Sequence, residues 1–144
     1  MFKEWKRTIL AHKKQALEKP KQYMCMIIDG MDQAKLLLPQ LNNKSKAFSE
    51  AWKLRTHLTG VLDHGLDPLC ISDLFQWAHD SNLTMNVILI ALARRSFIPD
   101  ILFLQMDNCF RENKNQFVLS FLAILVAQGI LKEVCFEYII IFKY

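Results

Sequence analysis

The sequence predicts an α/β domain built on a mixed five-stranded sheet flanked by helices. Short apolar runs recur at 23–28, at 101–106 with Gln105 as its one polar residue, and at 134–142 interrupted only by Glu137, as in strands covered on both faces. Segments with helical spacing precede and follow the run at 101–106, and such segments return a chain to pair in parallel. Residues 54–62 instead alternate in polarity, as a half-exposed antiparallel strand does.

Taken in order, residues 2–19 read as a helix, with Phe2, Trp5 and Ile9 on one stripe and lysines elsewhere. Pro20 ends it. The run Tyr23 to Ile28 is too short and too uniformly apolar for a helix, and it stops at Asp29-Gly30. Residues 33–51, with Pro39, Asn42 and Asn43, form a loop. Along 54–62, Leu54, Thr56, Leu58, Gly60 and Leu62 face one way and Arg55, His57, Thr59 and Val61 the other. Asp63-His64-Gly65 and Asp67-Pro68 supply a turn, and Leu69 to Trp77 is its hairpin partner.

Asp80-Ser81-Asn82 caps the next helix. Its stripe is Leu83, Val87, Ile90 and Ala91, widened by Met85, Ile88, Leu89 and Leu92, and Arg94-Arg95 suit its negative end. Ile101 to Met106 is the second central strand and ends at Asp107-Asn108. Lys114 to Gln128 is a helix with Phe117, Phe121, Ile124 and Leu125 on one face and Gly129 beyond its end. Val134 to Phe142 is the last strand.

The 144 residues fit one domain, and a 52% hydrophobic share supplies a core. Net charge is +4, but residues 1–21 hold seven Lys or Arg against two Glu, and the remainder is near neutral. Such an arm suits a polyanion or an ordinary solvated helix. Residues 1–20 are therefore read as a basic N-terminal helix and 21–144 as the core. Cys25, Cys70, Cys109 and Cys135 have no zinc or redox spacing and read as reduced core thiols. His12, His57, His64 and His79 form no ligand pattern. The charged first 21 residues do not fit a signal peptide. Phe117 to Leu131 is short of the roughly 20 apolar residues of a membrane span. The expectation is an intracellular protein, neither secreted nor membrane-bound, with the nucleus as a candidate compartment.

Three antiparallel strands followed by two helix-linked parallel strands is the ribonuclease H-like topology, with expected sheet order 3-2-1-4-5 and right-handed crossovers. On it the first and fourth strands are parallel neighbours, so Asp29 and Asp107 emerge at one sheet edge. Two close carboxylates repel unless a cation lies between them. Oxygen ligands there suit Mg²⁺ or Mn²⁺, which hold a scissile phosphate and attacking water in line. Asp32 competes with Asp29 for this role. Asp63, Asp67, Asp73, Asp80 and Asp100 read as turn or cap residues.

The segments Ile28-Asp-Gly-Met-Asp-Gln-Ala-Lys35 and Leu104-Gln-Met-Asp-Asn-Cys-Phe-Arg-Glu-Asn-Lys-Asn115, with Leu58-Thr-Gly60 and Asp80-Ser-Asn-Leu83 between them, resemble the signature blocks of an uncharacterised domain family. That family is found in transposable-element-derived proteins and is similar to DDE-type transposases and retroviral-type integrases. The resemblance spans roughly residues 15–140. It implies that Asp29 and Asp107 are catalytic metal ligands, with Asp32 and Asn108 as alternative or supporting partners. It also implies that Arg111, Lys114 and Asn115 meet nucleic-acid phosphate at a helix start. The competing reading is that Asn113 or Asn115 caps that helix and Arg111 is solvated.

The family usually continues with a Gly-His-Thr-His-Glu-Asp stretch and a further helix, whereas this chain ends at Tyr138-Ile-Ile-Ile-Phe-Lys-Tyr144. The expectation is a core lacking the terminal helix and the third carboxylate, and hence little strand-transfer activity. A second copy or another chain would then cover the truncated end. DNA is the expected partner and Mg²⁺ or Mn²⁺ the cofactor of an active form. The rival reading is a non-catalytic nucleic-acid or protein binding module.

Overall fold

The computed structural model describes residues 2–31, 36–39, 52–107, 109 and 111–139, with side chains placed for all of these but 2–6 and 137–139. Along it run α1 (Phe2–Glu18), β1 (Tyr23–Gly30), β2 (Leu37–Leu38), β3 (Leu54–Arg55), β4 (His57–Asp63), β5 (Leu69–Asp73), α2 (Ser81–Ala93), β6 (Ile101–Asp107), α3 (Gln116–Ala127) and β7 (Glu133–Ile139). The fold is α/β, with a mixed five-stranded sheet and, among the described residues, three helices.

The sheet order is β5-β4-β1-β6-β7. It departs from the expected 3-2-1-4-5 numbering because β2 and β3 intervene in the chain and form a separate two-stranded sheet. β1 pairs antiparallel with β4 and parallel with β6, and β7 adds parallel to β6. Both central strands are apolar on both faces because both faces are covered. Met24, Met26, Ile28, Leu102, Leu104 and Met106 pack with Val87, Ile88, Ala91 and Leu92 of α2 and Val118, Leu122 and Leu125 of α3. On the other face Cys25 and Phe103 meet Ala16 of α1, and the His12 ring stacks on Phe103 at 3.8 Å.

Several expectations need correction. The strand foreseen over 54–62 breaks at Thr56, whose backbone N–H and hydroxyl both donate to the Leu36 carbonyl. That bond recruits Leu54–Arg55 to β2, inside the stretch read as a loop; residues 33–35 and 40–51 lie outside the described residues. The hairpin partner stops at Asp73 rather than Trp77. In α3 the buried face is Val118, Leu122 and Leu125, while Phe117 and Ile124 are 62% and 56% exposed. In α2, Ile90 and Leu89 are exposed. Only Cys25 of the four free thiols is buried, and Cys70 is exposed.

Two aspartates read as turn residues instead face basic side chains across the fold, Asp63 buried and Asp73 half-buried. Asp63 receives two hydrogen bonds from the Arg95 guanidinium, and both side chains are 4% exposed. The Asp73 carboxylate lies 3.3 Å from Nδ1 of buried His57. Asp80 caps α2 as expected, accepting from the Asn82 N–H. Gly129, at φ +68°, ends α3 in the left-handed region, where the Ile130 N–H reaches back to the Leu125 carbonyl.

α1 also sets the local field. Burial holds His64 below the usual histidine range, and the nearby Lys13 charge adds to the effect against the opposing pull of Asp63. No described helix is long and apolar enough to cross a membrane.

Candidate metal-binding edge

Parallel pairing of β1 and β6 runs in register from Tyr23↔Ile101 to Ile28↔Met106. The next residues on each strand are Asp29 and Asp107, so both carboxylates arise at the same edge. By strand alternation they share the face that Cys25 and Phe103 present to α1. The two charges interact. Asp29 holds its proton above the usual carboxylate range, first through burial and then through repulsion from Asp107, while a hydrogen bond from the Gly30 backbone opposes the rise.

Asp107 is held by its own loop. Its Oδ1 accepts from the Cys109 N–H at 3.2 Å and from the Asn113 side-chain amide. Asn113 is buried, and its Oδ1 accepts from the Thr84 hydroxyl at 3.1 Å. The clamp therefore ties the loop after β6 to the first turn of α2. Asn115 accepts from the N–H groups of Phe117 and Val118 and so is the N-cap of α3, and its side-chain amide N–H donates to the Arg111 carbonyl at 3.2 Å. Arg111 and Lys114 are exposed beside it. Asp32 and Asn108 lie outside the described residues.

Donor chemistry fits a hard cation. Mg²⁺ is commonly held by one or two carboxylates, with water and substrate phosphate completing its shell, and two coupled carboxylates are what Asp29 and Asp107 offer. Among the described residues, no cluster of three or more His, Cys, Asp or Glu side chains is placed to hold a metal ion.

Beside this edge lies a pair, one histidine buried and one half-buried, that the sequence did not suggest. The His57 and His79 rings are 4.1 Å apart. Nδ1 of His57 faces Asp73 at 3.3 Å, and Nδ1 of His79 faces Glu112 at 3.0 Å. These contacts miss hydrogen-bond geometry, leaving all four ring nitrogens without a hydrogen-bond partner. Phe75, at φ +62°, lays its ring 3.6 Å from His57. A non-glycine residue in that region carries backbone strain, here offset by the Asp73 carboxylate accepting the Phe75 N–H at 2.7 Å. The only sequence signal for the cluster was the His57-to-Asp73 hairpin register, which required the turn to be placed first.

The sequence profile of a family described as a domain of unknown function, DUF7869, matches residues 46–142. The chain belongs to that family. The DUF7869 span covers about two thirds of the chain and includes Asp107, Asn113 and the histidine pair. It leaves out α1 and β1, although β1 lies in the middle of the sheet and carries Asp29. No match is found among curated proteins or among solved structures.

The raised Asp29 proton affinity gives a stability prediction. Between the unfolded carboxylate value and the raised folded one, the folded state binds more protons, so stability falls as pH rises through that window. Above it, Asp29→Asn removes a desolvated charge and, with it, the repulsion from Asp107, and so stabilises the fold. After discounting for solvent at this exposed residue, the gain is about 0.5–1 kcal/mol, or about 1–3 °C in melting temperature. Thermal melts at neutral and acidic pH check this: the two proteins should converge as the pH drops.

Proposed function

We propose that this DUF7869 domain is a transposase-derived, ribonuclease H-like domain whose ancestral chemistry is metal-dependent DNA strand cleavage and transfer. The observation that carries the reading is the in-register arrival of Asp29 and Asp107 at one edge of two parallel central strands, with their charges coupled. Asp29 and Asp107 hold a divalent cation, Mg²⁺ or Mn²⁺, and Asn113 fixes the Asp107 carboxylate for that purpose. When bound, the cation supplies charge stabilisation to a phosphate and acidity to a water.

Mn²⁺ titration followed by thermal melting tests this reading. A cation present at about 100 times its dissociation constant stabilises by about 2.7 kcal/mol, and Asp29→Asn with Asp107→Asn should remove the whole increment. Failure of Mn²⁺ at millimolar concentration to shift the wild-type melt, or an equal shift in the double variant, counts against it. Nicking of supercoiled DNA that needs Mn²⁺ and both carboxylates establishes the chemistry itself.

A second reading, a non-catalytic module that binds nucleic acid, is favoured by α1. Arg7, Lys13, Lys14, Lys19 and Lys21 are exposed on or just after this helix. Because α1 covers Cys25 and Phe103, charge reversal at Lys13 and Lys14 is a better probe than deletion. Salt-dependent DNA binding that falls on charge reversal, without Mn²⁺-dependent nicking, supports the binding module.

A further inference from the structure

A groove of about 500 Å³ runs between β5 and α2, the volume of a pocket for a small organic ligand. Its floor is apolar, with Ile71, Leu83, Val87 and Ile90, and its rim carries Trp77, 66% exposed. Three amide side chains, Gln76, Asn82 and Asn86, line it as well. They are only partly committed: Asn86 donates to the Asn82 carbonyl, Asn82 donates weakly to Asp80, and Gln76 accepts from the Leu74 N–H. Each therefore keeps a donor or acceptor in hand.

The charge of the lining narrows the occupant. Among the described residues, Asp73 and Asp80 are its only acidic groups, and no Lys or Arg lines it. Two acidic side chains in the lining disfavour an anion such as phosphate in the groove itself. What suits it is neutral, planar and rich in hydrogen-bonding edges: an aromatic face for Trp77, an apolar body for the floor, and donors and acceptors for the amides. A nucleobase has all three, and aromatic stacking plus edge contacts is how unpaired bases are held. The groove adjoins a smaller cleft. The two share Asp80, Leu83 and Val87, and the cleft reaches Gly30, next to Asp29, and Asn113, which holds Asp107.

We infer that the groove between β5 and α2 is a subsite for one unpaired nucleobase of a single-stranded segment. The inference rests on the reading of this domain as one that handles nucleic acid, and it names the part of the substrate taken up beside the carboxylate edge. The phosphates of the bound strand stay outside the groove and meet the cations elsewhere on the surface.

The test uses the full chain and two short single strands of equal length, one with bases and one abasic, with binding followed by fluorescence anisotropy. A stacked base is worth about 1–3 kcal/mol, so the strand with bases should bind roughly ten-fold or more tightly than the abasic one. Trp77→Ala should erase that preference and leave the weaker, salt-dependent binding intact. The side chain is exposed, so the variant should fold, and a melting temperature equal to that of the wild type verifies it. If Trp77→Ala binds both strands as the wild type does, the groove is not the subsite while the nucleic-acid reading stands. If neither strand binds even at low salt, the nucleic-acid reading falls and takes the subsite with it. Binding of a lysine-rich peptide in place of either strand, abolished by Trp77→Ala, overturns the proposal in favour of a protein partner.

Discussion

Replacing Arg95 with methionine should destabilise the chain by about 3–5 kcal/mol, the typical cost of stranding one member of a buried ion pair. Arg95 and Asp63 are each 4% exposed, and the guanidinium meets both carboxylate oxygens. Without it a carboxylate stays buried beneath the end of α2 with no counter-charge. Equilibrium urea unfolding measures the loss, and the melting temperature should fall by about 10 °C. Adding Asp63→Leu to Arg95→Met should recover most of the loss, because an apolar pair of similar volume substitutes well for a buried ion pair. If the single variant costs less than about 1 kcal/mol, the pair is solvated in solution and the burial argument fails.

Asn113→Ala should cost about 2–3 kcal/mol and weaken Mn²⁺ binding as well. The residue donates to Asp107 and accepts from Thr84 while 7% exposed. Its removal leaves a carboxylate with one remaining backbone donor and a buried hydroxyl with no acceptor, and stranded buried groups of this kind cost about 1–3 kcal/mol each. Thr84→Val removes only the second bond. It should cost about 1 kcal/mol and leave the Mn²⁺-induced rise in melting temperature nearly unchanged, because Asn113 still clamps Asp107. Equal Mn²⁺ responses in the two variants would mean that the clamp supports the loop and not the site.

What could be read from the sequence follows from where the information lies. The central strands were legible because a strand covered on both faces is apolar nearly throughout, as Tyr23 to Ile28 is and as Ile101 to Met106 is at all but Gln105. The proximity of Asp29 and Asp107 came with them, since each residue directly follows its run. The packing face of α3 was not legible. Its sequence, Gln116 to Ala127, is apolar almost all round, so periodicity could not select Val118, Leu122 and Leu125 over Phe117 and Ile124. Tertiary packing made that choice. The break at Thr56 was hidden for another reason: it depends on a hydrogen bond to Leu36, 20 residues earlier. Asp63 and Asp73 looked like turn residues because Asp is common in turns. Their partners, Arg95 and His57, lie far along the chain and are found only once the fold is known.

The place of β1 has a consequence for how the chain is made. β4 and β5 follow β1 in the chain and pair on one side of it as a meander. Its parallel neighbour β6 begins about 75 residues later, a delay of roughly 4–15 s at ordinary elongation speeds. Until β6 is made, the side of β1 that it covers in the finished sheet has no parallel partner.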